Sequence, residues 1–175
     1  MLTAVSSFGA ETDNVNVRVN PLGLLNGVYS VDLDVASGER VTVGPNASFL
    51  SRTSNSGSFS GTAIGAQANF YFGYPRLTSS WFVSPYIDLV SLQASQSPYN
   101  SASLNGVLFG VVAAYQWFWP SGFNLDVGGS IGHYGFSNTV SLSDNLGDTT
   151  AVTNPFAAGF INVELSLGYS FSLFQ

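Results

Sequence analysis

The chain has 175 residues, a length that suits one domain, and carries four basic residues, all Arg, against ten acids. The net charge of −6 leaves no basic surface to neutralise phosphates, which argues against a nucleic-acid partner, and the lack of Cys excludes disulfides and thiolate metal sites. Only 8% of residues are charged, too few to coat a soluble exterior, while 45% hydrophobic and 14% aromatic content excludes disorder.

No segment supplies the run of about 18 apolar residues that a spanning helix needs. The best stretch, Gly106 to Trp119, is shorter and carries Gln116. No basic residue precedes Arg18 and no long apolar run follows Met1, so a full signal peptide is missing. Residues 1–13 are set apart as an N-terminal leader segment, and residues 14–175 are read as the domain.

From Val15 the chain alternates apolar and polar residues. Val15, Val17 and Val19 form the first apolar set; Tyr29, Val31, Leu33 and Val35 the second; Val41, Val43, Ala47 and Phe49 the third. Ile64, Ala66, Ala68, Phe70 and Phe72 follow, then Trp81, Val83, Ile87 and Leu89. Val107, Phe109, Val111, Tyr115 and Trp117 precede Phe123, Leu125, Val127 and Ile131. The last set is the longest: Ile161, Val163, Leu165, Leu167, Tyr169, Phe171 and Leu173. Period two places each set on one face of a strand. Eight oily faces with so little charge elsewhere are reconciled if they meet lipid and the polar faces line a closed barrel. The predicted fold is therefore all-β, an eight-stranded antiparallel up-and-down transmembrane β-barrel. Strands of about ten residues, tilted near 45°, span a hydrocarbon core of about 25 Å.

Connections at Ser37–Glu39, Pro75–Ser80 and Pro120–Gly122 are short, as is a first hairpin loop at Leu24–Asn26. Those at Arg52–Ser60, Ser95–Ala102 and Thr139–Ala157 are predicted to be longer, polar loops. Short periplasmic turns and longer external loops are the outer-membrane pattern, which puts both termini on the periplasmic side. Phe72, Tyr74, Trp81, Trp117, Trp119, Phe123 and Phe171 then fall at the short-turn end, as an aromatic girdle at one interface.

Three stretches, Val19 to Leu25, Trp81 to Tyr86 and Tyr115 to Val127, together with the C-terminus, carry a resemblance. The chain resembles the small eight-stranded outer-membrane barrels of Gram-negative bacteria, of the OmpX-like and OmpA-barrel-like type, over nearly all its length from Val15. Within them it is most similar to OmpX-like domains of unassigned function. That resemblance implies location in the bacterial outer membrane, with lipid and lipopolysaccharide as surroundings. It also implies a C-terminal assembly signal, matched by Ser166, Gly168, Phe171 and Leu173, through which the outer-membrane assembly machinery would read the last strand. The family usually ends on an aromatic residue; here Phe174 is followed by Gln175.

The polar face carries Arg18, Asp32, Asp34, Arg40, Asp88, Asp126 and Glu164, read as an interior polar network. The first strand neighbours both the second and the last, so Arg18 is expected between Asp32 or Asp34 and Glu164, its fork serving two carboxylates. Eight strands leave an interior that side chains fill, so a packed plug is expected, with a narrow ion path as the alternative. No acid pair has the loop spacing of a calcium site, and no cofactor is expected. His133 is the single His, and His133 to Asn138 resembles the His-x-Ser-Asn stretch of outer-membrane lipid A deacylases. In that family the two residues are two apart. Here Ser137 lies four on, ~13 Å away in an extended strand, too far for a nucleophile–base pair. The reading is a structural or surface-recognition barrel without catalysis. Any surface ligand is expected at the outer loops, with Tyr99 and Phe156 as first contacts.

Overall fold

The computed structural model describes residues 14–25, 27–54, 57–73, 76–96, 100–135, 139–143, 149–153 and 159–173. Among the described residues there are ten strands and one short helix. They are β1 (Val15–Val19), helix α1 (Pro21–Leu25), β2 (Val28–Ala36), β3 (Val41–Ser54), β4 (Gly57–Tyr71) and β5 (Ser80–Gln96). After these come β6 (Asn100–Phe118), β7 (Phe123–Gly135), β8 (Thr139–Ser143), β9 (Thr149–Thr153) and β10 (Gly159–Phe171). Strands β5, β4, β3, β2, β1, β10, β7 and β6 follow one another in the sheet, and pairing of β5 with β6 closes the ring. Every pairing is antiparallel. The molecule is a closed eight-stranded up-and-down barrel. The remaining two strands, β8 and β9, form a hairpin that touches β6 at Ser101 and Ser143.

Period two decides which way each side chain points. On β7, Asn124, Asp126 and Ser130 are buried, while Phe123, Val127 and Ile131 are exposed. The same holds for Ile64, Phe70, Trp81, Ile87, Leu89, Phe109 and Val163, all exposed apolar residues on the outer surface. A belt of this extent is far larger than the scattered apolar residues of a water-facing surface.

Four connections differ from the sequence expectation, in three ways. The first is a helix, not a simple hairpin loop. Asn20 accepts a hydrogen bond from the Gly23 amide at 3.0 Å and Pro21 opens α1, a favourable start for a helical turn. Gly27, at φ +73°, takes the chain out of it and donates to the Leu24 carbonyl at 3.1 Å. Second, the expected loops at 52–60 and 95–102 are mostly strand. Arg52 pairs with Phe59, Ser54 with Gly57, and Gln96 with Asn100. Third, the expected loop 139–157 contains the β8–β9 hairpin. Ser- and Thr-rich strand ends lose the apolar rhythm once they pass the oily belt, yet their backbone ladder continues.

Helix α1 replaces wall that β1 does not supply. β1 pairs with β2 only at Val31–Val35 and with β10 only at Leu167–Phe171. Beyond that, the upper part of β10 is laddered to β7 alone, and α1 packs against both β2 and β10.

At the short-turn end the barrel is closed by an apolar side chain that the sequence reading passed over. Leu77, in the β4–β5 connection, is fully buried against Tyr71, Phe82 and Ala114. It holds φ +57°, a left-handed conformation unfavourable for a residue with a Cβ. Arg76 anchors this connection onto the β2–β3 turn, donating from Nη1 to the Gly38 carbonyl at 2.7 Å. Leu77→Ala should cost about 2–5 kcal/mol of stability through the cavity it leaves. Equilibrium urea unfolding of the barrel in lipid vesicles checks this, and a loss below about 1 kcal/mol would mean the site collapses freely.

Candidate functional site in the barrel interior

The lower half of the interior, toward the short turns, is built around Arg18. β1 aims it inward, and it is 4% exposed. Its Nη1 donates to Asp126 Oδ2 at 2.8 Å and its Nη2 to Asp34 Oδ1 at 3.3 Å. Nε lies 2.9 Å from Asp34 Oδ2, close enough for charge pairing but off the N–H axis. Asp32 stands further off, 4.0 Å from Nη2. The Phe82 ring lies beneath, its centroid 5.5 Å from the guanidinium carbon.

Asp126 is on β7, two strands from Arg18, with β10 between. Gly168 of β10 sits directly opposite Arg18 in the β1 register and opposite Asn124 in the β7 register. A Cβ there would lie 2.8 Å from Arg18 Cγ and 2.2 Å from Asn124 Oδ1. Glycine therefore opens the gap through which the guanidinium reaches β7.

Amides complete the lower half. Asp34, fully buried, accepts from Asn69 Nδ2 at 2.7 Å, Gln67 Nε2 at 3.0 Å and Asn16 Nδ2 at 3.4 Å. Asn69 also donates to Thr42 Oγ1 at 2.9 Å. Across the lumen, Gln116 Nε2 donates to Asn124 Oδ1 at 3.1 Å, and Asn124 Nδ2 to Asn16 Oδ1 at 2.8 Å. Buried charge is tolerated only when paired and hydrogen-bonded, and this lattice supplies those bonds. The sequence reading named the charged members and missed Asn16, Thr42, Asn69, Gln116 and Asn124. Their signal was one amide or hydroxyl per strand, on the polar face, near the short-turn end.

Two expected members sit elsewhere. Arg40 is exposed in the β2–β3 turn, because β2 ends at Ala36 and β3 begins only at Val41. Glu164 is not Arg18's second carboxylate; Asp126 takes that place. Glu164 lies higher, accepting from Ser130 Oγ at 2.6 Å and from Asn20 Nδ2 at 3.2 Å. The reason is register. Arg18 faces Gly168, which is four residues along β10 from Glu164.

The upper half is different in kind. Asp32, Asp88 and Glu164 line a cavity of 320 Å³, which shares Ala63, Leu108 and Tyr134 with a 220 Å³ pocket walled also by Leu50, Phe59, Val90 and Leu92. The interior is thus a polar plug below and an acid-floored, apolar-walled chamber above.

On the outside, Phe72, Trp81, Trp117, Trp119 and Phe123 are exposed at the short-turn end, with Phe171 half-buried beside them. Trp81 and Trp117 each contact Tyr115, at 5.5 and 4.7 Å between centroids, and Trp119 stacks near Phe123 at 5.3 Å. Tyr74 lies outside the described residues, as do residues 1–13, Tyr99, Ser137, Phe156 and the last two residues. Ser166 and Gly168 point inward on β10; Leu173 is exposed, its amide bonded to Asn14 Oδ1 at 3.0 Å. His133 faces outward on β7, its ring 5.7 Å from that of Phe109. Among the described residues no group of three or more His, Asp or Glu could hold a metal ion.

No protein-family profile matches the sequence, and no curated protein matches it. Among solved structures, the barrel is similar to a major outer membrane protein from Thermus thermophilus, with a TM-score of 0.55 and 11% sequence identity. The similarity covers 91% of this chain and 98% of that one. The fold is that of an outer-membrane-type β-barrel.

Arg18→Ala should destabilise the barrel by about 3–5 kcal/mol, since Asp34 and Asp126 are left buried without their cation. Gly168→Ala should cost about 1–3 kcal/mol by overpacking. The double variant should show a coupling above ~0.5 kcal/mol, because the added methyl no longer meets the arginine stem. Urea unfolding of the four proteins in vesicles measures it; strict additivity would refute the shared-space account.

Proposed function

We propose that the chain is an integral β-barrel of a bacterial outer membrane, of the small OmpX-like and OmpA-like kind, with a structural or surface-recognition role, no open pore and no catalysis. The observation that carries this is the closed lower lumen, where Arg18, its carboxylates and the amide lattice stand over Phe82 and the Leu77 stopper. The lipid setting is supported by the exposed apolar belt and by the aromatic residues gathered at one end. Lipid and lipopolysaccharide are then its surroundings. Ser166, Gly168, Phe171 and Leu173 on the last strand are the residues the assembly machinery would read.

Surface recognition is supported by height. β5 and β6 run 17 and 19 residues. At ~3.3 Å per residue and a tilt near 45° they rise about 40 Å, against a hydrocarbon band of about 25 Å. With β8 and β9 they raise one wall above the belt, on the side where the sequence places the outer loops. A catalytic reading based on His133 has little support, since Gly135 stands where a serine two residues on would be needed.

Refolded barrel in planar bilayers should give no steady conductance. The variant Arg18→Ala combined with Leu77→Ala, which removes both obstructions, should give discrete conducting events. Steady conductance of the unmodified barrel, reduced by Asp88→Asn or Glu164→Gln, would instead establish a narrow channel.

A further inference from the structure

The plug leaves the upper chamber unused. Its floor holds three carboxylates, Asp32, Asp88 and Glu164, and among the described residues no Arg, Lys or His lines either part of the chamber. Arg18, just below, is already engaged by Asp34 and Asp126, and Asp32 is its outermost partner. The three acids are not equally served. Glu164 accepts two hydrogen bonds. Asp88 is only 8% exposed, lines the chamber and is hydrogen-bonded by Asn46, but its Oδ1 accepts no hydrogen bond. A buried carboxylate oxygen without a donor lacks the partner that such groups require.

The walls supply the second requirement. Directly above the floor, Val90 and Leu92 pack inward with Leu50, Phe59, Leu104 and Leu108. Tyr134 and Phe160 stack at 5.1 Å between centroids on the seam side. Inward Leu and Val cannot serve lipid contact, since the outward neighbours Leu89 and Ile64 already do so. They form an apolar sleeve inside the lumen. Small-molecule sites are clefts of ~300–1,000 Å³ with apolar walls and a few placed polar groups, and this chamber sits at the small end of that range.

We propose that the upper chamber is a binding site for a small organic ammonium, its charged nitrogen against Asp88, Asp32 and Glu164 and its apolar body in the Leu92–Phe59–Leu108 sleeve. Arg18 lies 4.0 Å from Asp32 but is held by Asp34 and Asp126, so the three acids keep a surplus of negative charge that selects a cation. Apolar walls reject a bare inorganic cation, which would surrender its hydration without compensation. The chamber is stopped below by the Arg18 plug, so this is a binding cup and not a conduit.

The probe is 2-phenylethylammonium, compared with 2-phenylethanol, 3-phenylpropanoate and sodium chloride alone. Binding is measured by calorimetry on the full chain refolded in phosphatidylcholine vesicles, with empty vesicles subtracted. The ammonium should bind at least tenfold more tightly than the alcohol or the carboxylate, and sodium should give no saturable heat. Asp88→Asn with Glu164→Gln should weaken the ammonium at least tenfold, and Ala63→Phe, which fills the chamber from β4, should abolish binding. Heat-dependent gel mobility reports whether each variant is folded, and the ligand series on the unmodified barrel decides alone if a variant is not. Equal affinity for the three organic probes, no saturable binding of the ammonium, or unchanged affinity in both folded variants would overturn the proposal. Saturable sodium binding that matches the ammonium would also overturn it, because the sleeve would then contribute nothing.

Discussion

Closing the backbone ladder is the constraint on which this barrel depends, and β1 is where closure is thinnest. Five residues must join β2 to β10, whereas β5 and β6 share a ladder running from Ser80–Gln116 to Gln96–Asn100. The inward side chains of this short stretch compensate. Asn16 is bonded to Asp34 on β2 and to Asn124 on β7. Arg18 pairs with the same Asp34 and with Asp126 on β7. Asn20 caps α1 and reaches Glu164 on β10. Each polar residue of β1, and Asn20 just beyond it, therefore fastens the seam to strands on both sides or to the helix that continues the wall. The interior charge is in this sense part of the closure and not simply filling.

Gly168 shows how far that arrangement reaches into the sequence. The resemblance gives this glycine a place in an assembly signal, and the structure gives it a packing reason. A position that faces Arg18 on one side and Asn124 on the other has no room for a Cβ. Both roles can rest on one residue, because the last strand is also the strand that shuts the barrel.

The two storeys of the lumen follow from the same economy of space. An eight-stranded barrel has an interior about as wide as its side chains, so what fills it decides what it can do. Below, long polar side chains and the Phe82–Tyr71–Leu77 cluster occupy the axis. Above, Gly61 and Ala63 on β4 and Ser48 on β3 are small, and a chamber remains. Large residues close the lumen and small ones leave it open.

The sequence by itself determined the number of barrel strands, their antiparallel course and the outward direction of the apolar sets, because a period of two gathers each set on one face and the scarcity of charge turns that face outward. It also placed Arg18, Asp34 and Asp126 inside. It misjudged Arg40, since alternation cannot tell the last residue of a turn from the first of a strand. It read residues 52–60 and 95–102 as loops, since polar strand ends carry no oily rhythm. Partners across the lumen were decided only by the tertiary structure. Which carboxylate meets Arg18 depends on the stagger of β1 against β10, and stagger is set by ladder register and by where β1 stops. Leu77 and the upper chamber belong to the same class. Both arise where side chains from several strands converge on the axis, and no single strand's pattern records what stands opposite it.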